Sequence, residues 1–244
     1  MDKTAVFDEK AAGYDTEFTD TLVGKTQRKI IHSFMENLLR NKSGLNILEL
    51  NCGTGADILF LKKYGKVKGC DVSQPMLDVA KQKNPDTEFS IVDLDQPLPN
   101  HEKYDLIFSN FGGLNCLSKE RLHQLNNELF KILNPDGHLV MVFISRWSLM
   151  EFLYFSLRLN FRKAYRRKTG KTYFGDIPIY YYSPKEVRDA FGSFQFVSQM
   201  GVGKYLTGEY MNKWAPRLGI HESEHCSPHG IWGSDHILFN FIRK

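Results

Sequence analysis

Cysteine is scarce and unpatterned in this sequence. Cys52, Cys70, Cys116 and Cys226 form no C-x-x-C pair, and two of them fall in apparent core strands or at their ends. That spacing argues against a disulfide framework or a zinc site and suits reduced thiols in a cytoplasmic protein. Also missing is any run of about 18 apolar residues, the length that a membrane-crossing helix needs. Residues 1–20 lack the apolar core of a secretory leader. The chain is therefore expected to be cytoplasmic and not to span a membrane. A strong charge imbalance is absent too, since a net charge of +4 does not by itself argue for nucleic acid. There is no internal repeat and no low-complexity linker. What is present, 42% hydrophobic and 25% charged residues over 244 positions, fits one large domain or one core domain with insertions.

Periodicity orders the chain. Residues 22–40 predict an amphipathic helix, because Ile30, Ile31, Phe34, Leu38 and Leu39 recur at helical spacing among Lys25, Arg28, Lys29 and Arg40. After NKSG the texture turns to alternation, and strands are predicted at 46–51, 66–71, 87–92, 104–110 and 138–145. Helical segments at 55–64, 75–83 and 119–133 separate them. Strands alternating with helices mean right-handed β-α-β units around a parallel sheet. The fold class is α/β: a doubly wound, Rossmann-like sheet, mostly parallel with an antiparallel last strand and helices on both faces. Residues 147–168 predict one helix, first apolar (WSLMEFLYFSLRLNF), then basic (RKAYRRK). SPKEVRDAF predicts a helix start with Ser183 as N-cap, Pro184 in the first turn and Glu186 closing a capping box. Further strands are expected at 194–202 and 235–242, around a long segment, 203–234, rich in Gly, His and Trp.

The stretch NILELNCGTGAD (46–57) places a glycine turn after the first strand, where open parallel sheets bind ligands. Two phosphate patterns fail there. A dinucleotide turn needs a third glycine where this chain has Ile58, and Asp57 brings negative charge to the helix start; a Walker loop needs G-K-[ST]. Carboxylates stand where phosphate contacts would be. Glu49, inside the strand before the turn, suits an ammonium group. Asp71, ending the second strand, suits the two hydroxyls of a ribose. Asp93, after the third, suits an exocyclic amine such as that of adenine. An amine, a ribose and a base without phosphate describe S-adenosylmethionine.

In these motifs the chain resembles the class I S-adenosylmethionine-dependent methyltransferases, especially the small-molecule branch of quinone-biosynthesis type (type 11). ELNCGTG (49–55) resembles the first motif of that family, with Asn51 where a glycine is usual; Asn tolerates left-handed backbone angles, so the turn survives. GCDVSQPML, IVDLD, YDLIFSNFGGLNCL and LFKILNPDGHLVMVF follow as the second to fifth motifs. The likeness covers residues 7–145 well and 194–244 in outline. It implies S-adenosylmethionine as cofactor and S-adenosylhomocysteine as product. The implied cofactor site is Tyr14, Arg28, Glu49, Asn51, Cys52, Gly53, Thr54, Gly55, Asp71, Val72, Ser73, Met76, Asp93, Leu94, Asn110 and Phe111. Tyr14 would pack on the cofactor and Arg28 pair with its carboxylate; the plainer alternatives are a core aromatic and a solvated helix face. One domain spans 1–244, with a cofactor cover at 1–40, a core at 41–146, and acceptor-side insertions at 147–182 and 203–234.

Methyl transfer from a sulfonium is an in-line displacement that asks mainly for alignment and exclusion of water. A base is needed only if the acceptor's proton must leave early. HESEHCSPH (221–229) offers His225 and His229 as candidate bases; Pro228 interrupts any metal-binding stripe with His221, no metal is expected, and a plain polar loop is the simplest reading. His236 is open between structural and functional roles. SNFGG (109–113) is not the [N/D/S]-P-P-[Y/F/W] signature of enzymes that methylate bases or amides, which disfavours nucleic acid. Arg158, Arg162, Lys163, Arg166, Arg167, Lys168 and Lys171 follow an apolar helix with no acid until Asp176. The segment 147–171 reads as a cover with a solvated basic end, as a lid on a membrane surface, or as a receiver of an anionic acceptor. The expected partner is a small-molecule or lipid-like acceptor methylated at oxygen or carbon, in a pocket between the cover, the 147–180 segment and 203–234. Phe152, Tyr154, Phe155, Tyr180, Tyr181, Tyr182, Trp214 and Trp232 would favour a flat or apolar one. The rivals are a non-catalytic binding module of the same fold and a nicotinamide-dependent oxidoreductase. Oligomeric state is not legible.

Overall fold

The computed structural model describes residues 5–99, 102–218 and 230–244. Its centre is a seven-stranded sheet in the order β3-β2-β1-β4-β5-β9-β8. The strands are β1 (Leu45–Leu50), β2 (Gly65–Asp71), β3 (Glu88–Ile91), β4 (Tyr104–Ser109), β5 (Leu133–Ile144), β8 (Gln195–Val202) and β9 (His236–Ile242). The first five run parallel, and β9 enters antiparallel between β5 and β8. The predicted α/β class and antiparallel last strand therefore hold. A separate two-stranded hairpin, β6 (Lys171–Phe174) and β7 (Ile177–Tyr180), lies outside the main sheet.

Alternation along the strands feeds two apolar layers. Leu48 and Leu50 of β1, Ile107 of β4, and Leu139, Met141 and Phe143 of β5 face a core completed by α5 (Lys119–Ile132) and α8 (Pro184–Ala190). Ile47, Leu106, Phe108, Val140 and Val142 face the opposite core, completed by α2 (Leu22–Leu38) and the short α3 (Ile58–Leu61). Glu49 shares the parity of Ile47, so a carboxylate stands on a face otherwise apolar. The predicted capping box is present: Ser183 Oγ accepts from Glu186 N, and Glu186 returns a bond from Ser183 N. α4 (Gln74–Lys83) begins at Ser73, whose hydroxyl accepts from Met76 N.

Residues 147–168 do not form the single helix predicted. The chain makes α6 (Leu149–Leu157), turns at Leu159 with φ +55°, restarts at α7 (Phe161–Ala164) capped by Asn160, and ends in a 3-10 turn, Arg166–Thr169. The basic end is not uniformly solvated. Arg167 is buried between Glu151 (2.7 Å) and Asp235 (2.5 Å), and Arg166 also pairs with Glu151 (2.9 Å). The acid missing from the downstream sequence comes from the helix before it. Burial alone would raise the Asp235 carboxyl, yet Arg167 and His236 hold it well below the usual range. Within 203–234 the described part includes α9 (Gly208–Leu218), which packs on α2 through Val23, Met211 and Ala215. His221, His225 and His229 lie outside the described residues. Among the described residues, no helix is long and apolar enough to cross a membrane.

Candidate functional site

The strand order reverses between β1 and β4, and the carboxyl ends of β1, β2 and β4 open there into a cavity of about 550 Å³. Of the sixteen predicted cofactor residues, fourteen line it. Gly55 and Ser73 do not. Gly55, at φ +71°, lets α4 approach: a Cβ there would lie 3.0 Å from Ala80 Cβ and Asn84 Nδ2. Ser73 acts behind the wall, where its N–H donates to Asp71 Oδ1 (3.0 Å) and its hydroxyl to Asp8 (2.5 Å).

The turn is shaped by left-handed residues. Asn51 adopts φ +52°, as Asn can, and its side chain fills the space that a Cβ at Gly113 would take. Gly53, also at φ +52°, faces open space: a Cβ built there meets nothing within 4 Å. Its N–H donates to Asp71 Oδ2 (2.9 Å), so two backbone donors fix the Asp71 carboxylate at the cavity wall. Each carboxylate oxygen keeps a further lone pair for a hydroxyl. Asp93 lies exposed at the rim, with Oδ1 accepting from Asp95 N.

Glu49 is fully enclosed, and its Oε2 has no hydrogen-bond partner among the described residues. Burial, and then the nearby Asp57 charge, push its carboxyl well above the ordinary range. An orphaned buried carboxylate oxygen is costly unless a donor reaches it. An ammonium group in the cavity supplies that donor, and the open cradle at Gly53 leaves room for it. The residues fit the cofactor read from the sequence.

Asp57 plays a larger part than its sequence position suggests. It is buried, and it accepts from Arg28 Nε (3.0 Å), His32 Nε2 (2.6 Å) and Asn110 Nδ2 (2.9 Å). Burial would raise its carboxyl, but Arg28 and His32 hold it below the usual range. The Arg28 guanidinium also lies over the Phe111 ring (4.8 Å to centroid), and Phe111 is held at φ +46°. Arg28 is thus neither a solvated helix face nor a lone cofactor ligand: it is anchored at the cavity wall. The amino-terminal cover reaches the same place through Tyr14, Phe18 and Phe111, with Phe18 edge-on to Phe111 at 5.2 Å. Thr54 ties the glycine turn to the cover by donating to Asp15 (2.7 Å). Burial pushes the Tyr14 phenol up to about 12, so it stays protonated at neutral pH.

Another part of the cavity wall is apolar. Phe7 from α1 (Ala5–Lys10), Ile144 from β5, Leu117, and Phe174, Ile177 and Ile179 of the β6-β7 hairpin line it. The hairpin meets the cover directly, with Phe7 and Phe174 rings 6.4 Å apart. No described residue of 203–234 lines the cavity, nor does any of the eight aromatics that the sequence suggested. Tyr154, for example, stacks on Tyr210 at 3.9 Å. Phe7, Phe174 and four aliphatic side chains do the work expected of those eight aromatics.

A family model described as a methyltransferase domain matches residues 47–137, from β1 into β5. The chain is 26% identical to the malonyl-[acyl-carrier protein] O-methyltransferase of Bacillus anthracis, over 98% of this chain and 95% of that protein. The chain is an S-adenosylmethionine-dependent methyltransferase. Solved structures agree at the level of the fold. A methyltransferase from Clostridium acetobutylicum superimposes with a TM-score of 0.64 at 15% identity, covering 97% of this chain and 98% of that one. The magnesium protoporphyrin IX methyltransferase of Synechocystis, solved with S-adenosylhomocysteine, gives 0.63 at 15% identity with full coverage of both. The orphaned Glu49 oxygen, the open cradle at Gly53 and the fixed Asp71 carboxylate fit S-adenosylmethionine as the cofactor of this methyltransferase. The dinucleotide rival falls away.

Proposed function

We propose that this methyltransferase carries a methyl group from S-adenosylmethionine to an apolar small-molecule or lipid-like acceptor, at oxygen or carbon, in the cytoplasm. The observation that carries this reading is one cavity whose wall is lined in part by carboxylates and in part by apolar side chains. In it, Glu49 receives the cofactor's ammonium group, Asp71 its ribose hydroxyls, and Asp93 with Leu94 its base. Arg28, anchored through Nε on Asp57, directs its remaining N–H groups to the cofactor's carboxylate. Tyr14 and Phe111 close over the carboxylate-lined part. The sulfonium supplies an electrophilic methyl carbon and a neutral thioether as leaving group.

The chain's own contribution is alignment and exclusion of water. The hairpin and α1 hold the acceptor in line and keep solvent out. Among the described residues, the apolar wall offers no carboxylate or imidazole as base, and Tyr14 keeps its proton at neutral pH. That lining suits an acceptor whose nucleophile ionises readily, such as a phenol, an enol or a stabilised carbon acid. The Bacillus relative's name specifies a malonyl group. Arg28 is the only cationic side chain among the described lining residues, and Asp57 already neutralises it. The lining thus favours an apolar acceptor over one that presents a free carboxylate.

The test is transfer of labelled methyl from the donor to two acceptor panels: alkylated phenols and enols, and malonyl thioesters. Turnover with the first panel at submillimolar KM is expected. Turnover confined to malonyl thioesters would contradict the proposal.

A further inference from the structure

The basic run after α6 divides into two populations. Arg166 and Arg167 turn inward onto Glu151 and Asp235. Arg158, Arg162 and Lys163 stay exposed, and no carboxylate among the described residues pairs with them. Arg158 instead lies over the Tyr154 ring (4.4 Å) and Lys163 over Phe155 (5.6 Å). These contacts fix the cations on the protein without neutralising them. Between them, in LRLNFRK (157–163), stand three large apolar side chains in solvent: Leu157 at 85%, Leu159 at 78% and Phe161 at 55% exposure.

This corner is built, not frayed. Leu159 N donates to Ser156 O (2.9 Å), Asn160 N to Phe155 O (2.9 Å), and Asn160 Oδ1 caps α7 by accepting from Lys163 N (3.1 Å). Leu159 is held at φ +55°, a conformation that L residues avoid, with its side chain outward. Among the described residues, no packing offsets that strain. A projecting apolar tip ringed by unpaired cations matches the chemistry of an anionic bilayer, where leucine and phenylalanine enter the acyl boundary while arginine and lysine meet phosphate. A protein partner would ask for a flat or grooved face instead. From this corner the chain runs through α7 and the 3-10 turn into the hairpin whose Phe174, Ile177 and Ile179 line the apolar part of the cavity wall.

We propose that the α6-α7 corner, through Leu157, Leu159 and Phe161 with Arg158, Arg162 and Lys163, docks this enzyme on an anionic lipid surface. The inference goes beyond the proposed reaction and is read without turnover. The experiment is co-sedimentation of the intact protein with phosphatidylcholine vesicles, with and without phosphatidylglycerol. Two variants accompany it: Leu157→Ser/Leu159→Ser/Phe161→Ser and Arg158→Ser/Arg162→Ser/Lys163→Ser. Both sets of residues are exposed, and S-adenosylhomocysteine affinity checks that each variant is folded. Binding is expected to require the anionic lipid and to weaken with salt. The charge variant should lose about 100-fold in partitioning, and the apolar variant at least about 10-fold. Absence of binding to anionic vesicles, or binding by either variant as tight as the parent's, would overturn the proposal. So would retention of a malonyl-loaded acyl carrier protein at this corner that vesicles do not displace.

Discussion

On one part of the cavity wall, Glu49 and Asp71 end neighbouring strands, and Asp57 follows in the turn between them, each held by named donors or left with one oxygen waiting for one. On the apolar part of the wall, Phe174 and Ile179 come from a detached hairpin, and they offer only shape and dryness. The first part is fixed by the sheet, because parallel strands must end at the switch point and the turn must bend there. The second depends on segments that pack on the sheet without belonging to it. A ligand common to the fold suits the first part, and a ligand particular to this enzyme suits the second.

Substitutions on the two parts of the wall should therefore separate into different readouts. The largest effect is expected from Arg28→Met, which removes a cation from the buried Asp57. Unpairing a buried charge costs about 3 kcal/mol, visible as a lower denaturant midpoint at pH 7 together with weaker cofactor binding. Asp57 titrates below the usual range in the folded protein, so its contribution is present above that range and fades as the pH falls through it. The difference between Arg28→Met and the parent should shrink in acid. A difference independent of pH would break the assignment.

Next in size is Asp71→Ala. Two charge-assisted hydrogen bonds are lost, and S-adenosylhomocysteine affinity should fall by about 100-fold, with the KM for the acceptor unchanged at saturating cofactor.

Glu49→Gln sharpens the contrast because its two effects have opposite signs. Affinity for S-adenosylhomocysteine should fall by about 10-fold as the charged partner of the ammonium disappears. The cofactor-free protein should become more stable. The folded carboxyl titrates above its unfolded value, so stability is lost as the pH rises from the ordinary carboxylate range through the folded one. Melting curves at pH 5 and pH 8 check this: the gain from Gln should be greater at pH 8. Equal gains at both would place the Glu49 titration elsewhere.

The smallest effect belongs to the apolar part. Ile179→Asn should raise the acceptor KM by about fivefold and leave S-adenosylhomocysteine affinity unchanged. A fall in both together would mean that the two parts do not act separately.

The polar part was largely legible in the sequence because local rules govern it. A left-handed Asn51 and the acids at strand ends follow from a few adjacent residues, as does, away from the cavity, the Ser183 capping box. Asp57 was visible only as a charge that repels phosphate. Its binding of Arg28, His32 and Asn110 joins three distant segments, and no spacing announces such a hub. The apolar part was harder for the same reason. A periodic apolar run at 147–168 suggested one helix, but the chain turns at Leu159 and restarts at the Asn160 cap, and tertiary ion pairs draw Arg166 and Arg167 inward to Glu151 and Asp235. The hairpin that follows then presents Ile177 and Ile179 to the cavity, while the aromatics beside it serve the core: Tyr182 packs edge-on to Phe143.

The central claim is that the carboxylate-lined part of the cavity holds an ammonium-bearing nucleoside. Calorimetric titration of the intact protein with S-adenosylhomocysteine, with NAD as control, tests it most directly. Run in two buffers of different ionisation enthalpy, it should show binding to S-adenosylhomocysteine alone, with protons released as Glu49 ionises against the ammonium group. Folded protein that ignores S-adenosylhomocysteine, or that takes up NAD as readily, would contradict the account.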